Sequence, residues 1–264
     1  MKKELKFAGN FLTSLNLFCG FTSILLSFEG KFNFAFYFIF LGLIFDMADG
    51  RIARALGISS KFGLEFDSLA DLTTFGIAPS AMVYNMFLKE FEFGKIISFL
   101  PVLSVAIRLA RFNVNSETKA KEYFEGLSSP LGAFLIISLS FIFKDIVILS
   151  EKITKIVFFL LIFSVSALQV STIKFRSFKE VKMSKFIPYF LFLPPVLLWL
   201  LFFKQKIFFI ISIFGITCYI IYSIIFENLR YGKSIYIRHD FERRRASAGL
   251  LNDNRREDQN GSGT

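Results

Sequence analysis

Long apolar runs, each closed by a short cluster of charged or turn-forming residues, recur along the first 229 positions of the chain. A transmembrane helix needs about 20 apolar residues, and eight stretches come near that length: 10–28, 32–50, 63–88, 96–113, 130–143, 153–173, 186–203 and 207–229. The runs are continuous and lack the alternation of lipid-facing strands, so helices are predicted rather than a barrel. Helices also satisfy their own backbone polar groups where no water can. The pattern predicts an all-α integral membrane protein, a polytopic bundle of about eight transmembrane helices occupying 1–229. From Arg230 the pattern turns polar, through Arg243, Arg244 and Arg245 to Gly261-Ser262-Gly263-Thr264. Residues 230–264 are therefore predicted to be a charged, disordered cytoplasmic tail whose basic cluster suits anionic headgroups. Met1 to Lys6 resembles the start of a signal peptide, but no small-x-small cleavage site follows, and an uncleaved first span is expected.

Composition narrows the class. Of 264 residues 54% are hydrophobic and 20% charged, with a mean hydropathy of +0.55, which excludes an ordinary soluble enzyme and a disordered chain. Cys19 and Cys218 lie far apart in apolar runs and read as small buried hydrophobes. The lone histidine, His239, sits in the charged tail, so histidine-based catalysis and metal binding are not expected. Of the 31 basic residues, 23 fall in the termini and alternate connections that would share one side, and 8 in the others. Positive residues concentrate on the cytoplasmic side; both termini are therefore expected there, in a multi-pass protein of the cell membrane.

The chemistry concentrates between Asp46 and Asp71. Asp46 and Asp49 are spaced i,i+3 at the end of one span; Asp67 and Asp71 are spaced i,i+4 within the next, so each pair occupies one helix face. The short connection 51–62 makes the two helices antiparallel neighbours, and both pairs can converge at one depth. Intramembrane carboxylates are costly and point to function, and four together call for counter-charge. Oxygen-only ligation suits two hard divalent ions, Mg²⁺ or Mn²⁺. A salt-bridge network with Arg51, Arg54 and Lys61 is the bland alternative, but it leaves the small residues unexplained. Gly50, Ala53 and Gly63 keep bulk away from the carboxylates, as a phosphate-bearing ligand requires. Arg54 supplies a cationic fork for phosphate, and Ser60 a hydroxyl. No Walker-type or GxGxxG loop is present.

The pattern D-x2-D-G-x2-A-R-x8-G-x3-D-x3-D, met at every fixed position from Asp46 to Asp71, resembles the signature of the CDP-alcohol phosphotransferase family of membrane enzymes. Three further stretches resemble its serine-accepting branch: Asp67 to Pro79; Arg108-Leu109-Ala110-Arg111-Phe112-Asn113; and Phe124 to Pro130, where Ser128 replaces a usual proline. At the N-terminus Asn10-Phe11-Leu12-Thr13 and Asn16-Leu17-Phe18-Cys19-Gly20 also fit, with Gly9 in place of a proline.

The resemblance implies that Asp46, Asp49, Asp67 and Asp71 hold two divalent metals and that Asp71 is also the general base. It implies that Gly50, Arg54 and Ser60 contact the CDP-linked diphosphate, with Ala53 and Gly63 giving it room and Asn10 and Thr13 as further contacts. The expected reaction is transfer of the phosphatidyl group from CDP-diacylglycerol, or an archaeal ether analogue, to L-serine with release of CMP. A positioned carboxylate must then take the proton of an alcohol. Arg108 and Arg111, at i,i+3, with Asn113 beside them, are the candidates to read the serine carboxylate. Membrane lipids and a second copy in a homodimer are the expected partners, and no nucleic acid is. The alternatives are another acceptor, glycerol 3-phosphate or an inositol phosphate, and, from a different class, a divalent-cation transporter using the aspartates as an ion site.

Overall fold

The computed structural model of the chain describes residues 2–56, 60–116, 123–145, 151–176 and 205–227; the expected span 186–203 and the tail 230–264 lie outside the described residues. Helix α1 covers Lys2–Phe28, α2 Phe32–Leu56, α3 Lys61–Asp71, α4 Ala78–Val83, α5 Gly94–Ser116, α6 Ser129–Asp145, α7 Glu151–Val170 and α8 Gln205–Tyr222. Each of the other seven apolar runs falls on described helix for most of its length. Between α3 and α4 the chain continues without a break through a π-helical stretch, Leu72–Ile77; a second, Tyr84–Leu88, follows α4, and a third, Ser223–Glu227, follows α8. Among the described residues four helices are long and apolar enough to cross a membrane, Gly9–Phe28, Phe32–Ile52, Gly94–Val114 and Gln205–Ile225, with Ser129–Lys144 and Ile156–Val170 apolar but shorter. Large apolar side chains point outward along them, Phe28, Phe34 and Phe214 among them, an arrangement that lipid accommodates and water does not.

α1 and α2 form a tight hairpin. Lys31 N–H donates to Leu26 O at 2.9 Å and Gly30 N–H to Ser27 O at 3.2 Å, the paired bonds of a Schellman motif, with Gly30 at φ +73° in the left-handed position that closes it. From that turn the two helices run side by side toward the other end, where α2 carries Asp46 and Asp49. The Lys61–Leu88 helix packs across both. Its contact is backbone to backbone: a Cβ on Gly20 of α1 would stand 2.5 Å from Thr74 Oγ1 and 2.9 Å from Thr74 Cα, and one on Gly42 of α2 would stand 2.7 Å from Thr74 Cγ2. Thr74, fully buried in the π-helical stretch, is thus wedged between two glycines.

Beneath this junction the core is aromatic. Phe36 of α2 meets Phe134 and Phe141 of α6 and Phe208 and Phe209 of α8, with ring centroids 5.0–5.9 Å apart, mostly edge-on as ring quadrupoles favour. The helical pattern missed one element. Tyr123–Glu125 (β1) pairs antiparallel with Lys174–Arg176 (β2), Phe124 opposite Phe175. Three residues a side are too few to show an alternation, and the ladder ties the α5–α6 connection to the chain after α7. The run expected to continue to 173 therefore stops as helix at Val170, and the chain turns into β2.

Candidate active site

The first turn of α3 explains how the acidic residues come together. Ser60 takes extended backbone angles, φ −123° and ψ 147°, and its Oγ accepts the Gly63 N–H at 3.0 Å, an N-cap that starts the helix abruptly after the connection from α2. Asp67 and Asp71 then lie on the following turns, facing the end of α2. Carboxylate oxygens of Asp46, Asp49 and Asp67 fall within 4.8 Å of one another. Asp49 is buried and the other two half-buried. Asp71 stands beside this cluster and interacts electrostatically with all three of its members.

Three hard oxygen donors at that separation fit the donor set of Mg²⁺ or Mn²⁺, which take carboxylate oxygens at about 2.0–2.2 Å. The convergence predicted from the i,i+3 and i,i+4 spacings is present for Asp46, Asp49 and Asp67, with Asp71 adjacent.

α1 supplies partners that spacing could not reveal. Thr13 Oγ1 lies 2.8 Å from Asp49 Oδ2 in a buried contact and 3.1 Å from its own helix at Gly9 O; its single hydroxyl proton serves one of the two. Asn16 Nδ2 donates to Asp71 Oδ1 at 3.1 Å. Thr74 Oγ1 in turn donates to the Asn16 carbonyl at 3.0 Å. Asn16, Gly20 and Thr74 stand in stretches that carry the family resemblance, but no role could be read for them. The available signal was a polar residue one turn after Thr13, followed directly by the apolar stretch Leu17 to Phe21.

The remaining candidates fall into three groups. Asn10, Ser60 and Gly63 are neighbours: a Cβ on Gly63 would meet Ser60 Oγ at 3.1 Å and Asn10 Oδ1 at 3.6 Å. Gly50 follows Asp49 within α2; the side chains of Ala53 and Arg54 lie outside the described residues. The third group is on α5. Arg108 Nη1 donates to Ser129 Oγ at 3.0 Å, at the start of α6, and the guanidinium interacts with Asp71. Its Nε is buried, with no hydrogen-bond partner among the described residues. Arg111 points to backbone instead: Nη1 donates to Val170 O at 2.9 Å, and Nη2 to Glu125 O and Ser171 O, both at 3.2 Å. Asn113 Nδ2 donates to Ser68 Oγ at 3.0 Å and to Glu65 Oε2 at 3.1 Å, joining α5 to α3. Close by, Ser104 Oγ donates to Gln169 Oε1 at 2.7 Å, a buried cross-link between α5 and α7.

The sequence model of the CDP-alcohol phosphatidyltransferase family matches residues 7–170, which include every site residue from Asn10 to Ser129. A CDP-diacylglycerol–serine O-phosphatidyltransferase from Helicobacter pylori is 38% identical over 176 residues, covering 66% of this chain and 73% of the relative. Proteins of the same name from Saccharomyces cerevisiae and Methanocaldococcus jannaschii are 39% identical over 146 residues and 38% over 128. These alignments cover 50% and 48% of this chain, and 52% and 57% of the relatives.

Proposed function

We propose that this chain, which belongs to the CDP-alcohol phosphatidyltransferase family, transfers the phosphatidyl group of CDP-diacylglycerol to L-serine and releases CMP. The observation that carries the reading is the convergence of Asp46, Asp49 and Asp67 within 4.8 Å, with Asp71 beside them, in a chain whose relatives from bacteria, yeast and archaea are named for that reaction. The serine hydroxyl attacks the phosphorus on the lipid side of the diphosphate. The new O–P bond forms as the P–O bond to CMP breaks, and the hydroxyl proton passes to Asp71. Divalent ions held by Asp46, Asp49, Asp67 and Asp71 would neutralise the diphosphate and stabilise the CMP leaving group.

Asn10, Ser60 and Gly63, which cluster at the start of α3, together with Gly50, Ala53 and Arg54, are assigned to the CDP-linked diphosphate. Thr13 is better placed to orient Asp49 than to touch lipid, because its hydroxyl faces that carboxylate. For the serine carboxylate Arg108 is the favoured residue: its Nε lacks a protein partner among the described residues and its charge lies near Asp71. The bonds of Arg111 and Asn113 support a part in shaping that pocket rather than in direct contact.

The membrane arrangement belongs to the same proposal: eight spans in 1–229, a separate tail in 230–264, both termini and the site on the cytoplasmic side of the cell membrane, and a homodimer. The distribution of basic residues supports the sidedness.

Purified protein supplied with CDP-diacylglycerol and either Mg²⁺ or Mn²⁺ tests the reaction by CMP release. Release that depends on serine, and is not supported by glycerol 3-phosphate or an inositol phosphate, is the expected result. Release with one of those acceptors instead would reassign the acceptor, and none with any of them would remove the enzymatic reading.

A further inference from the structure

Asp71 is asked to do two things, to stand beside the metal-binding carboxylates and to take a proton from the acceptor, and a carboxylate on a freely turning χ2 does neither reproducibly. We infer that Asn16 is a positioning residue that holds Asp71 Oδ1, so that Oδ2 is the oxygen that receives the hydroxyl proton. The inference rests on the proposed transfer reaction and adds to it the partner that fixes its base.

Asn16 is fully buried and held from three sides. Its amide nitrogen donates to Asp71 Oδ1 at 3.1 Å. Facing a carboxylate, only the nitrogen end of an amide is attractive, which settles the orientation of the side chain. Its carbonyl accepts Thr74 Oγ1 at 3.0 Å. Its own Oδ1 would lie 2.9 Å from a Cβ on Gly42, so the absence of a side chain there gives the amide its room. That oxygen is buried with no hydrogen-bond partner among the described residues. A buried, half-satisfied amide inside a helical membrane core is costly, and an apolar residue of the same size would stabilise the bundle better. Thr74 stands three residues after Asp71 in the π-helical stretch that begins at Leu72. The same widened turn therefore sets the residue that anchors Asn16 and follows directly on the residue that Asn16 holds.

During transfer the serine O–H bond breaks as the O–P bond forms. The proton moves to Asp71 Oδ2, while Oδ1 keeps the amide hydrogen bond before and after. CMP departs with the electrons of the broken P–O bond, and Asp71 returns the proton to water or to CMP.

The test is Asn16→Leu in the full-length protein, read by steady-state kinetics, by Mn²⁺ affinity from electron paramagnetic resonance, and by the solvent deuterium effect on kcat. Misplacing a catalytic group costs about 100-fold in rate, so kcat is expected to fall by about that factor. Because Asp71 is also a proposed metal ligand, kcat is read at saturating Mn²⁺; there KM for serine and for the CDP-lipid should stay at wild-type values, and the solvent deuterium effect should grow as proton transfer becomes limiting. Wild-type kcat would overturn the inference. So would recovery of wild-type kcat once Mn²⁺ is raised to saturation, which would make Asn16 a support of the metal site alone. If Asn16→Leu fails to fold, Thr74→Val removes only the bond to the Asn16 carbonyl. It should give a smaller fall in kcat with the same separation from KM, and an unchanged kcat there would equally overturn the inference. Failure of the proposed reaction reads differently, as wild-type protein that releases no CMP with any acceptor.

Discussion

Arg108 and Arg111 lie one turn apart on α5, yet their guanidinium groups do different work: Arg108 reaches Ser129 and the neighbourhood of Asp71, whereas Arg111 binds the carbonyls of Val170, Glu125 and Ser171. Arg108→Gln is expected to raise KM for serine at least 10-fold with little change for the CDP-lipid, as loss of a charge-assisted contact implies. Arg111→Gln should instead lower the melting temperature and reduce kcat/KM for both substrates together, because three carbonyls lose a cationic donor. Thermal unfolding beside two-substrate kinetics separates the two. Serine-specific loss in Arg111→Gln would move that residue into the acceptor pocket.

Removing metal with a chelator should abolish CMP release, and either Mg²⁺ or Mn²⁺ should restore it. Thr13→Val should weaken Mn²⁺ binding by about 10–100-fold, the usual effect of losing a hydrogen bond to a ligating carboxylate. Thr13→Ser, which keeps the hydroxyl, should recover most of the affinity. Equal affinities in wild type and Thr13→Val, measured by titration, would show that Asp49 needs no such partner.

Gly20→Ala tests the close packing on Thr74. A methyl group there would collide with Thr74 backbone as well as its hydroxyl, and overpacking of this kind costs roughly 1–3 kcal/mol. Gly9→Ala is the control, since nothing lies within 4 Å of the added carbon. Reversible unfolding in detergent should place Gly9→Ala at or above wild type and Gly20→Ala well below it.

Ser60 carries two roles that one substitution can separate. As the N-cap of α3 it should cost about 1 kcal/mol of stability when changed to Ala, and Ser60→Asp, a good cap but an anion, should restore stability. If Ser60 also meets the diphosphate, Ser60→Asp should still raise KM for CDP-diacylglycerol. A wild-type KM in Ser60→Asp would leave Ser60 as a cap alone.

What could be read from the sequence follows from how far apart the interacting residues are. Asp46, Asp49, Asp67 and Asp71 were legible because each pair is a local helical spacing and a short connection brings the pairs together. Thr13 with Asp49 and Asn16 with Asp71 join residues 36 and 55 positions apart, and no periodicity encodes such a pairing. The direction taken by Arg111 was hidden for another reason. Its partners are backbone carbonyls, one of them in the short β1 strand, and carbonyls have no sequence identity to recognise. Ser60 was read for its hydroxyl, and the hydroxyl matters, but the observed partner is the N–H of Gly63, three residues on. The helical character of seven of the eight apolar runs was legible, because a continuous apolar run suffices for that; 186–203 lies outside the described residues. The widened turns inside 61–88 did not, since one extra residue in a turn leaves an apolar run looking unbroken.

Those widened turns set the phase of the helix. A π turn is an α-helix with a residue inserted, and each residue advances an α-helix by roughly 100°. Deleting one position within Leu72–Ile77 would let the helix close into uniform α geometry while swinging everything on one side of the cut by about that angle. Either Asp67 and Asp71 would turn away from α2, or Ala78, Met82 and Val83 would turn out of the core. The irregular turn reconciles a polar face set by chemistry with an apolar face set by packing, two faces that a single regular helix could not aim independently.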